Sequence, residues 1–346
     1  MSGVECPVPL GPGEHILLAH GGGGRLTRDL IEKELLPALR NPALEPLADG
    51  AVLDVPPGRL AFTTDSFVVQ PLFFPGGDIG TLAVNGTVND LAMCGAEPLY
   101  LSLGLILEEG LAVADLRRVV ASIAQAARVA RVHVVTGDTK VVERGKGDGV
   151  FVHTSGVGVV RAKGPLGAKE VRPGDAVLVS GPIGQHGVAV MAVRDGLAFS
   201  SPIRSDCAPV ADAVMALIDA SVTLRCLRDP TRGGVASALN EIAAQAAVEI
   251  ELQEPALPVT DEVAGVCEVL GLDPLYVACE GRFLAFVAGE DAERAVEVLR
   301  GREDCRGAAR IATVKRASAG LVTVRTGIGG VRVVDMLSGE QLPRIC

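Results

Sequence analysis

The chain has 346 residues, 48% hydrophobic but only 3% aromatic, with no Trp and a formal net charge of -10. At roughly 150 residues per domain, that length suggests two compact units with cores of Ala, Val, Leu and Ile. The acidic balance argues against nucleic acid or an anionic membrane surface as partner, since both call for clustered positive charge.

The opening stretch MSGVECPVPLGPGEH has neither the basic region nor the apolar run of an export signal, so a cytoplasmic protein is expected. HILLAH (15–20) predicts a strand and GGGG (21–24) a loop. RLTRDLIEKELLPAL then predicts a helix, because Leu26, Leu30, Leu35 and Leu39 recur near helical spacing. Strands are expected at 60–69, 98–107, 132–136 and 150–160, and helices at 79–93 and 113–130. RAKGPLGAKEVRPGD (161–175), rich in charge, Gly and Pro, reads as a connection between domains. The pattern then resumes with strands at 176–181, 222–227, 249–253, 274–279 and 282–289, and helices near 186–195, 207–220, 235–248, 262–271 and 291–301. The longest uncharged run, 176–193, is broken by Pro182, Gln185, His186 and three glycines, which does not suit a membrane span. TGIGG (326–330) reads as a hinge. The expected organisation is α/β (α+β), with two mixed-sheet domains over 1–160 and 172–325 and a flexible tail over 326–346.

Eight cysteines lie at 6, 94, 207, 226, 267, 279, 305 and 346 without a C-x-x-C pair, so zinc and dithiol redox sites are not expected. Most read as small buried apolar residues, but Cys346, the last residue of the sequence, does not. Gly21, Gly22, Gly23 and Gly24 before a helix let backbone N–H groups approach an anion such as phosphate; the alternative is a plain turn, and no Walker pattern follows. Asp65 interrupts an apolar strand, where an unpaired carboxylate is costly to bury. Asp90 lies in an apolar helix, Asp138 after a strand, and Asp229 at a strand-to-helix turn in DPTRGG with Thr231 and Gly233. Carboxylates at such places without His or Cys partners suit a hard cation such as Mg²⁺ on phosphates, although Asp138 and Asp229 also read as turn or cap residues. Lys140, one of six lysines against 26 arginines, suits a phosphate contact, an acid/base role or a solvated surface. Glu280 before Gly281 suits a general base or a simple turn.

The segments AHGGGGR, TTDSFVV, VNDLAMCGAEPLYLS, VVTGDTKVV, DPTRGGVASALNEIA, ACEGRF and above all the final PRIC resemble the hydrogenase maturation family HypE. That family belongs to the ATP-binding superfamily of aminoimidazole ribonucleotide synthetase and selenophosphate synthetase, and the resemblance runs through nearly the whole chain. It implies an N-terminal ATP-binding half and dehydration of a carbamoyl group on the Cys346 thiol to a thiocyanate, as a source of the cyanide ligand of [NiFe]-hydrogenase. The carbamoyltransferase HypF would load the thiol, and a HypC–HypD complex would receive the cyano group. It further implies a homodimer, Mg²⁺ on Asp65, Asp90, Asp229 and Asp49, nucleotide contacts at Asp138, Thr231, Gly233 and the glycine run, and proton transfer by Lys140 and Glu280. Two other functions are weighed. A selenophosphate synthetase would carry Cys or selenocysteine before the glycines, where His20 stands here. A non-catalytic scaffold would bind a partner through its tail without consuming ATP.

Overall fold

The structure is a computed structural model that describes residues 13–194, 196, 203–317, 319–337 and 345. The first domain opens with helices α1 (Arg25–Leu30) and α2 (Leu36–Leu39), joined by a π-helical turn, Ile31–Leu35. Pro37, which has no N–H to continue the ladder, follows the wide turn. The remaining elements are β1 (Leu60–Phe67), β2 (Phe73–Phe74), β3 (Gly77–Asp78), α3 (Ile79–Met93), β4 (Ala96–Glu108), α4 (Val113–Ala130), β5 (His133–Val142) and β6 (Val150–Val160). Residues 15–20 are not the expected strand: His15 makes one isolated bridge to Ala112, and Leu18–Gly21 form a 3-10 turn.

A four-stranded sheet in the order β1-β6-β4-β5 carries α3 and α4 on one face. Helix α4 buries Leu116, Val119, Val120, Ile123 and Ala127, an i, i+3, i+4 stripe, and closes on Arg131 in the left-handed region at φ 56. Helix α3 starts on Asp78, whose carboxylate accepts the Thr81 N–H at 2.9 Å. It is buried almost all round because the sheet, α4 and the second domain enclose it. The sheet's other face is open, with Phe62 70% exposed.

The second domain contains β7 (Ala176–Val179), α5 (Gln185–Arg194), α6 (Ala211–Asp219), β8 (Leu224–Arg228), α7 (Gly234–Ala246), β9 (Val248–Gln253), α8 (Asp261–Leu270), β10 (Leu284–Val287), α9 (Ala292–Arg300), β11 (Ala309–Ala317), β12 (Leu321–Arg325) and β13 (Val331–Val333). Its sheet runs β13-β12-β9-β11-β7-β10-β8. Two differences from the sequence reading bear on the site. Residues 274–279 are not a strand, because Asp273 caps a 3-10 turn at Pro274–Tyr276 by accepting the Leu275 N–H at 2.9 Å. The sheet also extends into the segment assigned to the tail. There β13 pairs antiparallel with β12, Val334 is buried, and Tyr276 Oη donates to the Asp335 carbonyl at 2.8 Å.

The domains are bolted together by Asn89 of α3, which is 2% exposed. Its Nδ2 donates to the carbonyls of Ala208 (3.1 Å) and Glu280 (3.2 Å), and its Oδ1 accepts the Val210 N–H at 2.8 Å. No helix among the described residues is long and apolar enough to cross a membrane.

Candidate active site

A cleft of about 460 Å³ opens between the domains, lined by Asp65, Asp90, Asp229, Thr231, Arg232 and Glu280 among others. Strand β1 and helix α3 supply its first wall. Asp65 accepts the Ser66 N–H at 2.7 Å, and Asp90 accepts the Thr63 hydroxyl at 2.9 Å. The turn after β8 supplies the second wall. Gly233 and Gly234 there have φ +76 and +60, and a Cβ on Gly234 would lie 2.5 Å from the Leu275 carbonyl oxygen. Only glycine fits that close, left-handed turn into α7.

The carboxyls disfavour their own charge. Burial raises the Asp90 pKa, and nearby Asp65 adds to the shift. Burial pushes Asp229 up to about 6, with Asp90 and Asp65 contributing. Glu280, 3% exposed, is raised well above its ordinary value by burial and then by Asp229, Asp206 and Asp65. Its Oε1 has no hydrogen-bond partner, while its backbone N–H donates to Asp206 Oδ1 at 3.1 Å. Burial and the neighbouring carboxylates thus favour the neutral form of the Glu280 carboxyl, and Asn89 and Asp206 fix the residue through its backbone on both sides.

Oxygen donors that repel one another are what a hard divalent cation relieves. Among the described residues no three His, Cys, Asp or Glu side chains are already grouped as a metal site. The set therefore fits Mg²⁺ held by one or two carboxylates, with phosphate oxygens and water completing the shell.

The other expected site residues lie elsewhere. Asp138 and Lys140 sit on β5, the opposite edge of the sheet from β1, and pair with each other at 3.2 Å. The register aligns Asp138 with Gly104, Gly104 with His153 and His153 with Ser66. Asp138 thus shares a face with Ser66, whereas Asp65 points to the face that carries α3. Gly21 packs against Val141, where a Cβ would meet the backbone nitrogen at 2.6 Å, so the glycine run belongs to the β5 side. Gly23 is also left-handed at φ +76, with open space around it. Asp49 is exposed before β1 and does not line the cleft. Cys346 lies outside the described residues.

The sequence reading passed over Asn89 and Asp206. The signal for Asn89 was available: two asparagines four apart, Asn85 and Asn89, on an otherwise apolar helix must find partners when buried. Asp206 in RSDC carried no such pattern.

The sequence models of the AIR synthase related protein family match this architecture, the N-terminal domain over residues 47–160 and the C-terminal domain over 172–324. Two such domains around a carboxylate-lined cleft place the molecule in that class. Carbamoyl dehydratase HypE of Azotobacter vinelandii is 54% identical over 329 residues, 95% of this chain and 96% of that protein. A solved HypE structure in complex with ATP is 48% identical with a TM-score of 0.92, covering 95% of this chain and 99% of that one. A HypE–HypF complex structure is 45% identical with a TM-score of 0.78, over 89% of this chain and 99% of that one. The chain belongs to the HypE family, which sets the selenophosphate synthetase reading aside.

Proposed function

We propose that the protein is a carbamoyl dehydratase that binds ATP with Mg²⁺ in the interdomain cleft and converts a carbamoyl group on the Cys346 thiol to a thiocyanate. The observation that carries the reading is the buried Glu280 carboxyl, its Oε1 without a hydrogen-bond partner, in a cleft lined by Asp65, Asp90 and Asp229. Kinship with a relative solved in complex with ATP supports the nucleotide.

The overall change is S-carbamoylcysteine plus ATP giving cysteine thiocyanate, ADP, phosphate and a proton. The amide oxygen is a poor leaving group until it carries a phosphoryl group, and both amide protons must then depart. When bound, Mg²⁺ supplies charge neutralisation for the phosphates. Asp65 and Asp90 would hold it, with Asp229 lining the same cleft. Glu280, whose neutral form burial favours, can in that form donate a hydrogen bond to the amide oxygen and, in its ionised form, take up an amide proton. Asn89 and Asp206 keep its backbone from moving. Thr231 and the N-terminus of α7 face the phosphate side, where N–H groups favour anions. Lys140 assists deprotonation of the thiol during loading, since a free cysteine near pKa ~8.5 is mostly protonated at pH 7.

The partners in this reading are HypF, seen bound to a relative, and a HypC–HypD complex as acceptor of the cyano group. A homodimer is also part of it. The open face of the first sheet presents Phe62 beside a Thr64–His153–Ser66 hydrogen-bond row, and a second copy would cover it.

Intact-mass analysis after incubation with HypF, carbamoyl phosphate, ATP and Mg²⁺ tests the proposal. The expected series is a gain of one carbamoyl group at Cys346 followed by the ATP-dependent loss of one water. A scaffold would show neither the water loss nor ATP hydrolysis that depends on carbamoylation.

A further inference from the structure

The end of the tail is held to the body of the protein at Ile345, by a contact that the proposed chemistry does not use. Ile345 is 3% exposed, and its carbonyl oxygen lies 2.6 Å from Nε2 of His186, itself 0% exposed on α5. A carbonyl only accepts, so Nε2 carries the hydrogen. The other ring nitrogen, Nδ1, lies 2.8 Å from Ser205 Oγ, and that hydroxyl also accepts the Cys207 N–H at 3.0 Å. With the Ser205 oxygen already accepting, its own hydrogen is free to point at Nδ1, which fixes the tautomer. The order is Cys207 N–H to Ser205, Ser205 O–H to His186, and His186 Nε2–H to Ile345.

The ring is set rigidly at the seam of the two domains. Phe74 of the first domain meets it edge-on, with centroids 5.4 Å apart and planes at 85°. Ser205 is tied to the same hairpin by its N–H donating to the Pro75 carbonyl at 2.8 Å. A Cβ on Gly76 would lie 2.7 Å from the Ser205 nitrogen, so the hairpin approaches this loop as closely as backbone allows. Burial pushes the His186 pKa down to about 4, which leaves the ring neutral at physiological pH. The same loop supplies Asp206, which accepts the Glu280 N–H.

We propose that His186 is a positioning residue for the reaction at Cys346: its Nε2–H holds the Ile345 carbonyl, and with it the peptide unit that leads into the reactive cysteine. Ser205 sets the hydrogen of His186, and the buried Ile345 side chain supplies the apolar half of the anchor. Residues 205–207 therefore tie Glu280 and the anchor of the tail to one stretch of backbone. The inference rests on the assignment of Cys346 as the carrier thiol.

Three variants test it: His186→Phe, which keeps an aromatic ring without a donor, His186→Gln, which restores an N–H, and Ser205→Ala. Two assays are read for each. The first is alkylation of Cys346 by iodoacetamide, taken from intact mass against Cys346→Ala. The second is the pair of steps, loading by HypF and ATP-dependent dehydration. Losing one such hydrogen bond should speed alkylation and slow dehydration by about tenfold each in His186→Phe while loading is maintained, because about 1.4 kcal/mol is a factor of ten. Ser205→Ala should move the same way to a smaller degree, and His186→Gln should recover part of the loss. A merely structural role would instead depress loading and dehydration together and leave Gln no better than Phe. Wild-type rates of alkylation and dehydration in a folded Ser205→Ala and His186→Phe would overturn the proposal. If the wild type itself loses no water after loading, the dehydratase reading fails instead, and the alkylation comparison still decides whether His186 holds the tail.

Discussion

Replacing Asn89 by alanine should separate the domains energetically while leaving each fold intact. The side chain makes three hydrogen bonds, two donated to the carbonyls of Ala208 and Glu280 and one accepted from Val210 N–H, at 2.8 to 3.2 Å. At 2% exposure no water stands ready to replace them. Each lost bond removes about 1 kcal/mol net, and the stranded Val210 N–H adds about 1–3 kcal/mol of desolvation, for a total of about 4–6 kcal/mol. Asn89→Asp should do no better, since a carboxylate keeps the acceptor but loses both donors and adds charge near Glu280. Urea unfolding followed by circular dichroism gives the stability, and hydrogen exchange at Val210 gives the local effect. The same variant should lower dehydration, because Glu280 loses the restraint on its carbonyl. A stability within about 1 kcal/mol of wild type, with Val210 still protected, would refute the argument that this side chain joins the domains.

Three further outcomes are expected. Asp65→Asn and Asp90→Asn should weaken Mg·ATP use so that carbamoylated Cys346 accumulates, and an unchanged thiocyanate yield by intact mass would remove both from the cation site. Lys140→Ala should still bind ATP by calorimetry while its loading by HypF falls; lost binding with normal loading would reverse its role. Asp206 is pushed up to about 6 from 3.8, first by burial, so its ionised form costs stability that is absent below about pH 4, grows through pH 6 and is complete above it. Asp206→Asn removes that cost, and its stability relative to wild type should improve by about 3 kcal/mol between pH 4 and pH 7; a difference that stays flat with pH would contradict the shift.

What the sequence made legible follows from local chemistry. Asp65, Asp90, Asp229, Thr231 and Glu280 come from four separate segments, and each drew notice as a polar residue in an apolar setting or a tight turn; all five line one cleft. Helix α3 was readable from the Asp78 cap at its start, and α4 from a clean apolar stripe. The strand order was not readable, since β1 pairs with β6 and β4 with both β6 and β5, contacts that no local periodicity encodes. Strands β11 and β12 were missed in a stretch where Lys315, Arg316 and Arg325 interrupt the apolar pattern. There Lys315 and Arg325 pair with Glu251 of β9, and Arg316 with Glu249. Charges that look like loop in one dimension are cross-strand partners in the sheet.

The same limit explains why Lys140 and Glu280 looked like parts of one site. Strand parity decides which face a side chain takes, and it becomes functional only when strand order is known. Three strand spacings of about 4.8 Å put the edge strand of Lys140 about 14 Å from that of Asp65, and the two side chains point to opposite faces. Glu280 lines the Asp65 cleft, whereas Lys140 is paired with Asp138 on the far edge. One thiol cannot touch both residues of a single chain at once. If both act on Cys346, they do so at different steps, or the lysine comes from a second copy set against the open sheet face. These alternatives part cleanly in mixed dimers: a chain with Lys140→Ala combined with a chain carrying Cys346→Ala regains loading only when the lysine is supplied across the interface.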